Sequence, residues 1–273
     1  MNQARASGQY EDPESIWLNA DHLARGFPEP EDLSHDRWWL VKDEPRVRIL
    51  LSPPDDAGGR LVSKIYRIPK PLVWRTLFLT SRAQREFQNL EYARQRGLPV
   101  VEPINWGETR RWGCAGYSQL TMGFVDGTPL PEFMCQPGLQ QSVREDLSIQ
   151  LGELMVRMHL AGVVWMTAYP RNIMVVSNPG PSLVAFDFPY ALCTGKDMQG
   201  SRFALLDLSW MMKRCVLKCQ FNETLLQSFY LAYTRGAGDA AKQLRSRVEA
   251  QTKASLFRDR IFVRVARVLQ RSV

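Results

Sequence analysis

"HLAGVVWMTAYPRNIMVV", residues 159–176, is the stretch whose reading decides the fold. It closes a helical pattern, because upstream "QQSVREDLSIQLGELMVRMHLAG" places Leu147, Leu151, Leu154, Met155 and Met158 on one apolar face. Downstream, "NIMVVS" and "SLVAFDF" flank the turn "NPGP", which predicts a short strand–loop–strand unit. Between Glu153 and Asp187 there is no Asp or Glu. Asp187 stands in an apolar run between "LVAF" and "FPYA". An unpaired carboxylate is costly there, so it needs a cation, either a metal ion or a lysine such as Lys64.

Toward the N-terminus, "RWWLVKD", "RVRILLS" and "RLVSKIYRI" are short segments rich in β-branched and aromatic residues, separated by turn signals, and they predict an antiparallel meander. "SRAQREFQNLEYARQRG" predicts a helix with an apolar stripe at Phe87, Leu90 and Ala93 and with Gly97 at its C-terminal end. "LPVVEPINWGE" and "GYSQLTMGFV" add two strands, and after "DGTPLPEFM" the character turns helical. The expected architecture is α+β and two-lobed, with a cleft between the lobes. It comprises an acidic arm over 1–36, a β-rich lobe with one helix over 37–121, and a larger, mainly helical lobe over 122–273.

Composition narrows the classes. At 273 residues and 45% hydrophobic content the chain is long enough for a substantial core. No apolar run is long enough to span a bilayer, and the polar, acidic opening does not resemble a signal peptide, so a cytoplasmic location is expected. Five cysteines without CxxC spacing argue against a disulfide framework or a zinc site. Cys215 and Cys219 share a helical spacing and read as buried thiols.

The net charge of +7 is unevenly placed: residues 1–36 carry eight acidic and two basic side chains, whereas 242–273 carry nine Lys or Arg against Glu249 and Asp259. Arg260, Arg264, Arg267 and Arg271 recur at helical spacing opposite an apolar face, predicting a basic amphipathic helix. Such a helix is either a solvated terminal helix or a contact for an anionic membrane surface; nucleic acid ranks last, since no base-reading motif accompanies the charge.

Chemistry enters through the order of four residues. Lys64 lies in the middle of the third strand candidate, Glu86 in the following helix, Asn172 on the loop after the His159 helix, and Asp187 at the end of a strand. A phosphotransferase of the kinase type needs a strand lysine for the nucleotide phosphates and a helix glutamate to fix that lysine. It also needs an Asn and an Asp to hold magnesium. Each residue alone is a weak signal; the order of all four is a stronger one.

Several longer stretches carry a resemblance. "WWLVKDEPRVRILL", "GGRLVSKIYR", "REFQNLEYARQRGLPVVEPINWGE", "MHLAGVVWMTAYPRNIMV", "LVAFDFPYA" and "RFALLDLSWMMKR" together make the chain similar to the lipopolysaccharide core kinases of the Kdo and heptose kinase group. Met158, His159, Gly162, Tyr169, Arg202 and Asp207 fall where that family's patterns place the same residues. The resemblance implies a protein-kinase-like fold, ATP and Mg2+, and phosphate transfer to a sugar hydroxyl of the lipopolysaccharide inner core at the cytoplasmic face of the inner membrane. On this view Lys64 and Glu86 serve the nucleotide and Asn172 and Asp187 the metal.

The departure is local. Where the family's loop carries a His-Arg-Asp or a close relative, this chain has Trp165, Met166 and Thr167, so the catalytic base position is held by Thr167. A threonine hydroxyl does not take a proton as a carboxylate does. General-base catalysis contributes about 10²–10⁴ in rate, so its loss leaves positioning and electrostatics intact. Two expectations follow: a nucleotide-binding pseudokinase of envelope biogenesis, placed slightly ahead, and an active kinase with a sugar acceptor. Transfer of AMP in place of phosphate is a third.

Overall fold

The computed structural model describes residues 38–68, 79–177 and 179–253, together with Ile16, Trp17, Trp74, Thr76 and Leu77. The expected basic helix carrying Arg260, Arg264, Arg267 and Arg271 and nearly all of the acidic arm lie outside the described residues. The chain divides into two compact units, Met1–Gln88 with Glu102–Phe124, and Asn89–Val101 with Val125–Val273.

The first unit is an antiparallel six-stranded sheet. Its strands are β1 (Ile16–Trp17), β2 (Trp39–Glu44), β3 (Val47–Leu51), β4 (Leu61–Arg67), β5 (Pro103–Arg111) and β6 (Cys114–Gly123). Their order across the sheet is β1-β5-β6-β4-β3-β2. Pro45 and Arg46 make the turn between β2 and β3. Between β5 and β6, Trp112 and Gly113 both adopt positive φ (52° and 75°), the conformation that matches a two-residue turn to the strand twist.

β4 is an interior strand, pairing Lys64 with Ile49 of β3 on one side and with Leu120 of β6 on the other. Its residues Ser63 to Tyr66 are all buried, so both faces of the sheet are covered at this point. A lysine at the centre of such a strand is not the solvated edge residue that an isolated strand lysine usually is.

The helix α1 (Arg82–Gln95) follows. The Ser81 hydroxyl accepts from the Gln84 amide at 3.2 Å, satisfying one of the free donors of the first turn. At the other end Gly97, at φ 68°, lets the chain reverse so that its own amide reaches Arg94 O and the Leu98 amide reaches Ala93 O. Phe87, Leu90 and Ala93 are buried as the stripe predicts. Arg82 to Gln88 belong with the first unit and Asn89 to Gln95 with the second.

The second unit contains α2 (Leu130–Met134), α3 (Gln141–Leu160), α4 (Arg202–Lys218), α5 (Glu223–Tyr233) and α6 (Gly238–Lys253). α3 packs on α5, and α4 packs on α6. Leu147, Leu151, Leu154, Met155 and Met158 of α3 are buried, each contributing about 1.5–3 kcal/mol by leaving water. Two small sheets complete the unit: β7 (Thr128–Pro129), β9 (Ile173–Val176) and β10 (Ser182–Ala185) form one, and β8 (Val163–Val164) and β11 (Leu192–Cys193) the other.

β9 and β10 are the expected strand–loop–strand unit, paired from Ser182↔Val176 to Ala185↔Ile173. Gly162, at φ 78°, precedes β8; a Cβ there would lie 2.8 Å from the Lys196 carbonyl oxygen, so the close backbone approach requires glycine. Among the described residues no helix is long and apolar enough to cross a membrane.

Candidate functional site

In the first unit, residues alternate in direction along β4, so Lys64 and Tyr66 share a face. Glu86, one helical turn beyond Arg82 on α1, meets both. Lys64 Nζ donates to Glu86 Oε1 at 2.9 Å, and the Tyr66 hydroxyl donates to Oε2 of the same carboxylate. Glu86 is fully buried and Lys64 nearly so. The Arg82 guanidinium lies over the Tyr66 ring at 4.5 Å. A buried charge pair persists only when each member is fully partnered, and Tyr66 supplies the extra hydrogen bond that Glu86 needs.

The second unit assembles the loop that follows β8. Asp207 of α4, fully buried, accepts from the backbone amides of Trp165 at 2.5 Å and Met166 at 2.8 Å. These bonds hold Met166 in the left-handed region at φ 62°, a strained conformation for a side chain of that size. His159 Nε2 stands 3.6 Å from the same Oδ2 that accepts from Trp165, and His159 Nδ1 lies 2.7 Å from the Tyr233 hydroxyl. Burial pushes the Tyr233 phenol well above its usual value, so it stays a neutral hydroxyl.

Asp187 is two residues beyond the end of β10 and also has positive φ, 68°. Its backbone carbonyl accepts twice, from Trp165 Nε1 at 3.0 Å and from Thr167 Oγ1 at 3.0 Å. Its carboxylate accepts from Asn172 Nδ2 at 3.3 Å, and the same Nδ2 donates to the Thr167 carbonyl at 3.1 Å. Phe188 stacks on Trp165 with ring centroids 4.8 Å apart and 16° between planes. The Phe188 carbonyl accepts from Asn89 Nδ2 at 2.8 Å. Trp165 and Thr167 therefore act on Asp187 through its main chain: the bulky residue stacks and donates, and the small one donates.

Of the residues singled out in the sequence, the structure brings Lys64 together with Glu86, and Thr167 together with Asn172 and Asp187. Tyr66 and Asn89 were not anticipated. Tyr66 was legible as the residue two beyond Lys64 on the same strand face; Asn89 had no sequence signal, because its partners are about a hundred residues away along the chain.

Asn172 and Asp187 offer an amide oxygen and a carboxylate, hard donors of the kind magnesium takes. With Nδ2 committed to the loop, Oδ1 is the atom of Asn172 that would serve a cation. Among the described residues no cluster of three His, Cys, Asp or Glu side chains forms a metal cage. Magnesium requires only one or two carboxylates when phosphate oxygens and waters complete its shell, so this donor set fits it.

An antiparallel sheet carrying a lysine against a helix glutamate, joined to a helical unit with a hairpin beside its central loop, is a protein-kinase-like fold. A match among solved structures, "WaaP in complex with acyl carrier protein", agrees, with a TM-score of 0.58 over 80% of this chain and 87% of that one. At 16% identity this is a likeness of fold. Residues 59–232 match the family described as "Lipopolysaccharide kinase (Kdo/WaaP) family", and the chain belongs to that family. No curated protein matches it.

Proposed function

We propose that this chain is a kinase-fold, nucleotide-binding protein of lipopolysaccharide or envelope biogenesis whose phosphotransfer is lost or strongly impaired. The observation that carries this reading is the hydroxyl of Thr167, which donates to the Asp187 carbonyl at the position where the family's loop has its base. A group that is itself a protonated donor near neutral pH does not accept the acceptor's proton. The absence of any Asp or Glu between Glu153 and Asp187 leaves no local substitute in the sequence.

Nucleotide binding is supported by the ion pair of Lys64 with Glu86 and by the Asn172–Asp187 pair. Lys64 would hold the α- and β-phosphates with Glu86 fixing its direction, and Asn172 and Asp187 would hold Mg2+. Bound MgATP would supply an activated phosphoryl group whose charge the cation neutralises. The basic residues 258–271 would favour peripheral contact with the anionic inner face of the membrane, close to a glycolipid acceptor.

Calorimetric titration with ATP, with and without magnesium, tests this reading, with Asp187→Ala as the control. Magnesium-dependent binding that the substitution abolishes is the expected result; no binding to either protein would leave a kinase-shaped scaffold and overturn the nucleotide reading. The alternative is an active sugar kinase, favoured by the intact Lys64–Glu86 pair. Acceptor-dependent ATP consumption that rises in Thr167→Asp would support that alternative.

A further inference from the structure

The loop that carries Thr167 also carries Tyr169 and Arg171, and α4, which fixes the loop through Asp207, presents Trp210 and Arg214 three and seven residues further on, on the same helix face. The four side chains meet. The Arg214 guanidinium lies over the Tyr169 ring with its Cζ 3.8 Å from the centroid, and that of Arg171 lies 5.4 Å away. The Trp210 ring is 6.3 Å from Tyr169 and itself packs against the cluster containing Met166 and Val164. Tyr169, Trp210 and Arg214 are half-buried and Arg171 is exposed.

A guanidinium held against a ring makes no hydrogen bond to it in doing so, and its five N–H donors remain for an oxyanion. Among the described residues neither the Arg171 nor the Arg214 side chain donates a hydrogen bond or pairs with a carboxylate. Two positive charges are thus gathered on one tyrosine. Trp210 adds a flat apolar surface on which a saccharide stacks.

We propose that Tyr169, Arg171, Trp210 and Arg214 form a subsite for an oxyanion, phosphate or carboxylate, borne by a saccharide placed beside Thr167. This rests on the reading of the 165–172 loop as the acceptor side of a kinase-type site. The tyrosine fixes both guanidiniums, Arg171 and Arg214 bind the anionic group in a forked geometry, and the sugar ring lies toward Trp210.

Ligand-observed NMR titration with glucose 6-phosphate, glucuronate and glucose tests it on the full chain. One or both anionic sugars should bind in a salt-sensitive way and glucose should not; the one that binds identifies phosphate or carboxylate as the partner. Arg171→Gln with Arg214→Gln should weaken that binding roughly tenfold or more, and Arg171→Lys, which keeps charge without the fork, should weaken it less. The exposed Arg171→Gln alone should weaken binding without changing the melting temperature, which guards against a folding defect in the double variant. Equal affinity in wild type and variants, glucose binding as well as its charged relatives, or no binding by any of the three overturns the proposal. MgATP titration of the same proteins separates the two readings: an anionic sugar that binds where MgATP does not would remove the nucleotide reading and leave this subsite, and the converse would remove this subsite alone.

Discussion

The Thr167 hydroxyl and the Asp187 carbonyl oxygen are 3.0 Å apart, so Thr167 is a donor to the backbone of the residue whose carboxylate meets Asn172. Asp187 stands at φ 68°, a region that Asp tolerates better than most side chains but does not prefer. The Thr167 and Trp165 hydrogen bonds to its carbonyl together hold it there.

Thr167→Ala should therefore act at Asp187. Loss of one hydrogen bond is worth about 1 kcal/mol, which corresponds to a fall of about 2–4 °C in melting temperature for a chain of this size. If that bond poses the Asp187 carboxylate, MgATP affinity should fall about fivefold, with metal-free ATP affected less. Thr167→Ser should retain both. Scanning calorimetry and calorimetric titration check this, and unchanged MgATP affinity in the alanine variant would mean that Trp165 suffices.

Glu86 joins two partners in a buried setting. Glu86→Ala removes the buried carboxylate to which both Lys64 and Tyr66 donate and should cost about 3–5 kcal/mol, enough to threaten folding at 37 °C. Tyr66→Phe removes one hydrogen bond to the carboxylate and should cost about 1.5–3 kcal/mol. Denaturant midpoints measure both, and an indifferent Tyr66→Phe would show that Lys64 alone satisfies Glu86.

Asp207 is the support of the loop. Asp207→Asn keeps one acceptor oxygen and the volume but loses the charge that serves the Trp165 and Met166 amides. The expected cost is about 1.5–3 kcal/mol for the weakened charge-assisted bond, together with release of Met166 from its strained conformation. Limited proteolysis should then cut within residues 163–172 faster than in the wild type; an unchanged cleavage pattern would argue that packing alone holds the loop.

The thiols make a prediction in pH. Burial pushes Cys193 up from its usual 9.0 to about 12 and raises Cys215 as well, while Cys135 is exposed. The native thiol is neutral where the unfolded one ionises, so its contribution is complete below pH 9.0 and is lost as pH rises toward about 12. Cys193→Ala should flatten that part of the alkaline stability profile. Mass spectrometry after alkylation of the folded protein at about pH 8.5 should find Cys135 modified and Cys193 and Cys215 protected; the reverse order would mean the unit opens locally.

Much of the fold was legible in the chain because its signals are short-range. The strands and α1 announce themselves by periodicity, by Ser81 at one end of α1 and by Gly97 at the other, all of which are set by neighbours a few residues away. The order Lys64, Glu86, Asn172, Asp187 is likewise a property of the sequence, as is the lack of any Asp or Glu between Glu153 and Asp187.

What these side chains do was decided by contacts that the sequence cannot order. Lys64 and Glu86 are 22 residues apart in the chain and 2.9 Å apart in space, and only packing of α1 on an interior strand makes that happen. Thr167 read as a missing base; the tertiary structure makes it a donor to Asp187, 20 residues away. Nothing in the sequence connects Arg171 with Arg214; the helix that Asp207 anchors brings both onto Tyr169. Local spacing determines which faces are apolar and where helices end, since backbone sterics and propensity act between neighbours. Which polar groups meet is decided by how those faces pack, and the functional contacts belong to that second level.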